Sequence, residues 1–530
     1  MTKVNAVAAR TASGRPRRVL PASLLAVALL VGGCGTVPPQ DRPTDTPPAV
    51  TATAPGPSSG PTVPPSPQPP ATPRYVAEKP DRGWRITSDP SPDFGRSPGT
   101  RPSPPVEGYA DQSSVAPGRR VQLFVSTSAD RWRATAYRMG WYGGKQGASV
   151  WRSGWHQGTR QARARTSGST STPVADWHRS LSVSTAGWRP GSYLIRLEVS
   201  HHASYVPLTV RSPSTRGRLV LLAPDTTWQA YNDWGGRNLY WGPTSKSDSA
   251  RRARAVTFDR PYAYGKGAGE FLNRMLPVVA LAERLRLPLA YADDIDLERD
   301  RHLLDGAAGV VSMGHDEYYS VRMRANLTAA RDKGTNLAFL GANAVFRRIR
   351  LQSTALGRYR LEVNYKDPAE DPVSRTHPRQ TTADWPANPS PDPESSLVGE
   401  SYACFPGAGA LVVFDPSSWL LAGTGLGMGD TIPDVLGPEF DAVVPGMPAP
   451  HPLDVVFRSP VYCGPYTHAD ATYYSTSSGA GVFDVGTMSW VVGLTGSRGE
   501  RSRKLEERIT TNVLRAFAAR KAGRAHPAHG

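Results

Sequence analysis

At 530 residues the chain is long enough for two or three domains, and 39% apolar side chains is ordinary for a globular protein with a sizeable core. Its formal charge of +17 is spread, and no segment interleaves basic and aromatic residues as a nucleic-acid groove would, which argues against DNA or RNA partners. The excess suits attraction to anionic phospholipid or cell-wall polymer.

Lys3, Arg10, Arg15, Arg17 and Arg18 precede an apolar run over residues 19–31, followed by Gly32-Gly33-Cys34. That order reads as a secretory signal over residues 1–33, too short for a comfortable transmembrane helix. The small residues before Cys34 resemble a bacterial lipobox, which implies a lipidated Cys34 at the mature N-terminus and an extracytoplasmic, lipid-anchored protein. Without residues 1–33, 57 basic side chains face 45 acidic ones, so the charge stays positive. Residues 34–105 are predicted to be a stalk: residues 35–74 hold 14 prolines in 40 positions, with valine the one large apolar type, so they cannot build a core. Extended, those residues reach about 120 Å at ~3.1 Å per residue.

Residues 106–212 show short period-two segments, at 120–126, 134–139, 179–183 and 192–199. Pro117-Gly118, Gly143-Gly144 and Pro190-Gly191 punctuate them. This spacing predicts a β-sandwich of immunoglobulin type, with Trp141 and Tyr142 as packing or interdomain aromatics. From residue 216 the period changes. Buried strands at 219–223, 289–292, 309–313 and 336–341 alternate with helices at 270–285 and 321–333, so a parallel sheet covered on both faces is expected through residue 520. The expected fold class is therefore α/β plus all-β: the sandwich, then a Rossmann-like parallel α/β domain, which resembles that of class I glutamine amidotransferases. Residues 368–393, rich in Pro, Asp and Thr, read as a surface excursion of the kind that often covers a site. Leu505, Ile509, Val513 and Phe517 mark a closing helix over 500–519, and 521–530 reads as a flexible tail.

Cys404 and Cys463 are the cysteines left once Cys34 is lipidated, and they read as one disulfide in an exported chain. Neither has the Gly-rich elbow of a catalytic thiol.

The most informative stretch is Gly314-His315-Asp316-Glu317-Tyr318-Tyr319, which sets an imidazole, two carboxylates and two phenols at the end of a buried strand. Open α/β sheets bind ligands at such carboxyl ends. Residues 221–224 lead into Tyr231, and residues 339–341 lead into Asn343. If these strands are neighbours, Tyr231, His315, Glu317 and Asn343 share one crevice.

In chain order, Arg138-Met139-Gly140-Trp141, Ala230-Tyr231-Asn232 with Trp234-Gly235-Gly236, Phe258-Asp259-Arg260-Pro261-Tyr262, Gly314-His315-Asp316-Glu317, Leu340-Gly341-Ala342-Asn343 and Asn364-Tyr365-Lys366 resemble the large-subunit family of N,N-dimethylformamidase. The likeness runs over roughly 106–519. It implies hydrolysis of a small linear amide at a mononuclear iron, held by two tyrosines and a glutamate. Carried over, Glu317 is the carboxylate ligand, Tyr231 the first phenolate and Tyr262 the second, with Tyr240, Tyr264 and Tyr291 as fallbacks. Three anionic oxygens suit ferric iron, since a phenol with pKa ~10 ionises at neutral pH only beside a strongly acidic cation. His315 and Asn343 would then donate hydrogen bonds, Lys366 would stabilise developing charge, and Glu439 would be the general base. Small amides and cell-envelope amides are both admissible substrates, and a homo-oligomer or a small partner subunit is left open. The contrasting reading is a cell-surface scaffold that binds without catalysis.

Overall fold

The period-two segments of the first third become strands that share one core. Val106–Ala110, Arg120–Thr127 and Leu181–Ser184 make a three-stranded antiparallel sheet. Gly147–Arg152, Arg131–Met139, Gly191–Val199 and His202–Val210 are the heart of a larger one. Val121, Leu123, Trp132, Ile195, Leu197 and Val206 lie buried together. This computed structural model describes residues 74–85 and 104–530, so the signal, Cys34 and most of the stalk fall outside it. Residues 74–85, read as stalk, instead pack on the first sheets, with Lys79–Pro80 paired to Gly147–Arg152 and the apolar Trp84 ring buried, its Nε1 donating to the Lys145 carbonyl at 2.8 Å. The described residues belong to one compact unit of mixed α/β structure. Among them, no helix is long and apolar enough to cross a bilayer.

The second half is organised by a seven-stranded sheet in the order Leu289–Asp293, Leu219–Ala223, Gly309–His315, Asn336–Ala342, Gly481–Asp484, Tyr466–Ser475, Leu453–Cys463. The first five run parallel and are buried almost throughout, and the last two extend the sheet antiparallel. Gly314 lies opposite Gly341 and His315 opposite Ala342, which sets the strand ends side by side. A Cβ at Gly341 would collide with the Gly314 carbonyl, so the close approach requires glycine. A four-stranded sheet made of Ala255–Thr257, Gly357–Val363, Arg347–Thr354 and Tyr318–Ser320 packs beside these ends. Its strand at Tyr318 has no separate periodic signal in the sequence.

The two halves are locked by Glu283, which accepts hydrogen bonds from Arg138 Nη2 at 2.6 Å and from the Trp141 backbone N–H at 2.8 Å. Any side chain at Gly140 would overlap Glu283, so the Arg138-to-Trp141 motif joins the first sheets to the helix Leu276–Arg284. The helix expected over 270–285 is two, Gly269–Arg274 and Leu276–Arg284. Pro277 explains the break, because it has no N–H to donate and its ring crowds the preceding turn. Ser320 caps Val321–Asp332 by accepting from Met323 N at 3.0 Å, and Met323, Leu327 and Ala330 are buried as their spacing predicts. Glu500–Ala518 closes the fold with Ile509, Val513 and Phe517 buried. The last ten residues, read as a flexible tail, instead fold back: Ala522–Ala525 is helical, Tyr473 Oη donates to the His526 carbonyl at 2.7 Å, and Ala528 is buried.

The Cys404–Cys463 disulfide forms, with Cα atoms 6.1 Å apart across a separation of 59 residues. A loop of that size is worth about 4 kcal/mol in the chain-entropy account.

Both carboxylate oxygens of Glu506 are buried without a hydrogen-bond partner, and burial pushes this acid from 4.5 up to about 8. The folded chain therefore keeps a proton that the unfolded chain has released, and stability falls as pH rises from 4.5 towards 8. Glu506→Gln is expected to remove up to about 1.4 kcal/mol per pH unit of that slope. Thermal unfolding at acid and alkaline pH would read this as a variant matching wild type at the acid end and exceeding it at the alkaline end. Parallel profiles would count against it.

Candidate active site

Leu219–Ala223 ends at Pro224 and passes into the helix Asp225–Tyr231, whose last residue is Tyr231. Gly235 and Gly236, with φ of 79° and 82°, then turn the chain back. The return is fastened by Asn238, whose Nδ2 donates to the Tyr231 carbonyl at 2.9 Å and whose Oδ1 accepts the Tyr240 N–H at 2.8 Å. The Tyr231 and Tyr240 rings consequently stack, with centroids 4.5 Å apart.

Glu317, two residues past the strand Gly309–His315, is fully buried beneath them. One of its oxygens accepts from Tyr231 Oη at 2.7 Å and the other from Tyr240 Oη at 2.6 Å, while the two hydroxyls lie 2.8 Å apart. Burial and the adjoining Glu317 charge push both phenols well above their ordinary range. Arg347 Nε also donates to Glu317, at 3.2 Å, and its guanidinium pairs with Asp384 from the 368–393 excursion. The excursion thus reaches the rim of the site through this ion pair and through backbone pairing of residues 383–385 with residues 346–348.

His315 Nε2 lies 3.1 Å from Glu439 and 3.4 Å from Glu317, as an ion pair and not as an aligned hydrogen bond. Burial works against its charge, but the two carboxylates outweigh burial and raise the imidazole above its usual value. Burial likewise opposes the Glu439 charge, yet His315 holds that carboxylate below its usual range. Asn343 Nδ2 donates to Glu439 at 2.9 Å, and Asn343 Oδ1 is buried and unpartnered. The Asn343 backbone, at φ 57°, is held by Asp441, whose two oxygens accept its N–H at 2.8 and 3.0 Å. Lys366 Nζ sits 3.2 Å from the Tyr240 ring centre and 3.2 Å from Tyr318 Oη. Burial, then the Arg347 charge, lowers this ammonium well below the ordinary lysine range.

The structure therefore brings Tyr231, His315, Glu317, Asn343, Lys366 and Glu439 into one cluster, with His315, Glu317, Asn343 and Glu439 buried and Tyr231 and Lys366 half-buried, and it does not bring Tyr262 there. Arg260, fully buried, clamps the Gln229 and Trp234 carbonyls, so the Asp-Arg-Pro motif serves the turn around the helix end. Tyr262 follows it into a cranny edge-on to Trp228, its hydroxyl without a hydrogen-bond partner. Tyr264 accepts from Asn273, and Tyr291 donates to Glu283. The tyrosine paired with Tyr231 across Glu317 is Tyr240. Its signal in the sequence was the Gly235-Gly236 turn and Asn238 just before it. Arg347 had no such signal. Both described cysteines are bridged, so neither offers a thiolate. Among the described residues no group of three or more His, Cys, Asp or Glu is arranged to hold a metal ion, and the oxygens around Glu317 come chiefly from phenols.

No curated protein is significantly similar to the chain. Residues 133–504 match a family model described as N,N-dimethylformamidase beta subunit-like, C-terminal. That match spans well over half of the sequence and takes in every residue of the cluster, which suggests an amide hydrolase. The chain belongs to the N,N-dimethylformamidase beta subunit-like family.

Proposed function

We propose that this protein is a metal-dependent hydrolase of linear amide C–N bonds, exported and lipid-anchored through Cys34, with an immunoglobulin-like sandwich serving a Rossmann-like catalytic domain. The observation that carries the reading is the meeting of the half-buried Tyr231 Oη and Tyr240 Oη with the fully buried Glu317 carboxylate, within 2.6 to 2.8 Å of one another. Without a cation the phenols keep their protons, because burial and Glu317 both oppose phenolate. A hard trivalent ion in place of those protons would meet three anionic oxygens, so Tyr231, Tyr240 and Glu317 fit ferric iron. When bound, such an ion polarises an amide carbonyl and acidifies water.

The remaining work falls to side chains of the chain itself. Glu439, kept ionised by His315 and aligned by Asn343 Nδ2, is the proton acceptor for an attacking water. His315, whose proton the two flanking carboxylates favour, is positioned to return a proton to the departing amine. The free Asn343 Oδ1 can accept an N–H from the substrate and orient it. Lys366 Nζ, beside the Tyr240 ring and donating to Tyr318 Oη at 3.2 Å, offers an N–H donor where negative charge develops. The substrate class is a small or cell-envelope amide.

Elemental analysis and visible absorption of protein made in iron-replete medium, joined to amine release from a formamide and acetamide panel, test this reading. About one iron per chain, a phenolate-to-iron band and amine release are expected. Iron-free, colourless protein without amide hydrolysis would leave the scaffold reading.

A further inference from the structure

The sandwich and the sheet-bearing half also meet along a cavity of about 940 Å³, which shares no lining residue with the Glu317 cluster. Six arginines line it, Arg119, Arg120, Arg211, Arg299, Arg358 and Arg360, against one lining acid, Asp111. Arg360 is committed to Asp259 at 2.6 Å, and Arg211 and Arg299 share Asp296 at 3.5 and 2.6 Å. With Asp111, Asp259 and Asp296 all counted, three of the six cations remain uncompensated.

Among the described residues those three have no acidic side chain to hold. Arg119 and Arg120 are exposed on the sandwich rim, and Arg120 spends its hydrogen bonds on the Ser182 hydroxyl and carbonyl. Arg358, from the facing Gly357–Val363 strand, leans on Tyr359, with Nη2 donating to the phenol oxygen at 2.9 Å. Among the described residues none of the three has a carboxylate partner. Phe258, Ile295 and Leu356 supply apolar wall between the charges. A concave surface with one sign of charge and low-dielectric walls focuses potential, and guanidinium forks match phosphate and carboxylate oxygens in pairs. The volume lies in the range of small-molecule sites and exceeds what one inorganic anion fills.

We infer that this groove binds a multiply charged oxyanion, a ligand carrying two or more phosphate or carboxylate groups. The inference does not depend on the chemistry assigned to Glu317.

Titration calorimetry on the chain at low and moderate salt, with tripolyphosphate, citrate and singly charged acetate as probes, tests it. At least one polyanion is expected to bind tenfold or more tightly than acetate, with affinity falling as salt rises. The tighter of the two identifies phosphate or carboxylate as the natural group. Arg119→Ala with Arg358→Ala should weaken that binding at least tenfold and leave the unfolding midpoint unchanged, since both side chains are exposed. Arg119→Glu alone is the check if the pair folds poorly, with the same weakening expected. Neither polyanion surpassing acetate, or a folded variant binding as well as wild type, would overturn the proposal.

Discussion

Glu317→Gln is expected to lower the proposed amide hydrolysis by about 10²–10³-fold, the usual cost of deleting one preorganised polar group from a buried site, and to abolish the proposed iron binding. The carboxylate is the shared acceptor for Tyr231 and Tyr240 at 2.7 and 2.6 Å and the counter-charge to Arg347. An amide of the same shape keeps one accepting oxygen but turns its NH₂ towards a phenol or the guanidinium, so one donor loses its partner. Its backbone bonds, N–H to Thr227 Oγ1 at 2.8 Å and carbonyl from Arg347 N–H at 2.8 Å, do not involve the side chain and should hold the fold. Steady-state kinetics with metal content per chain check this, and a variant with wild-type values in both would remove Glu317 from the chemistry.

The second large effect separates two tyrosines. Tyr240→Phe deletes the hydroxyl 2.6 Å from Glu317 and should cost about 10²-fold or more in activity together with the visible band. Tyr262→Phe deletes a buried hydroxyl that has no partner, so activity should stay within about twofold and stability should rise by roughly 1 kcal/mol as an unsatisfied group is removed. The reverse pattern, with Tyr262→Phe colourless and Tyr240→Phe active, would return the ligand role to Tyr262. Absorption spectra and thermal unfolding of the pair decide it.

Hydrophobic periodicity carried much of the architecture. The continuous apolar runs at 219–223, 309–313 and 336–341 could be read as adjacent parallel strands, and from that adjacency the meeting of Glu317, His315 and Asn343 followed. What stayed hidden depends on backbone paths that periodicity does not encode. Tyr240 reaches Tyr231 because two left-handed glycines and one asparagine reverse a loop. Asp384 reaches Arg347 because an excursion far along the chain packs against the Arg347–Thr354 strand. Pro277, in plain view within an apolar stretch, divided the expected helix in two. The Phe258-to-Tyr262 motif pointed to the right neighbourhood, but its arginine is the part the fold uses.

The ion pair from Asp384 to Arg347 links a segment outside the main sheet to the most deeply held acid of the cluster. Lengthening, shortening or exchanging that segment would alter how strongly the guanidinium is drawn away from Glu317, with every strand left in register. A change in that stretch of surface chain would therefore be felt at the Tyr240 phenol, whose ionisation the Arg347 charge favours.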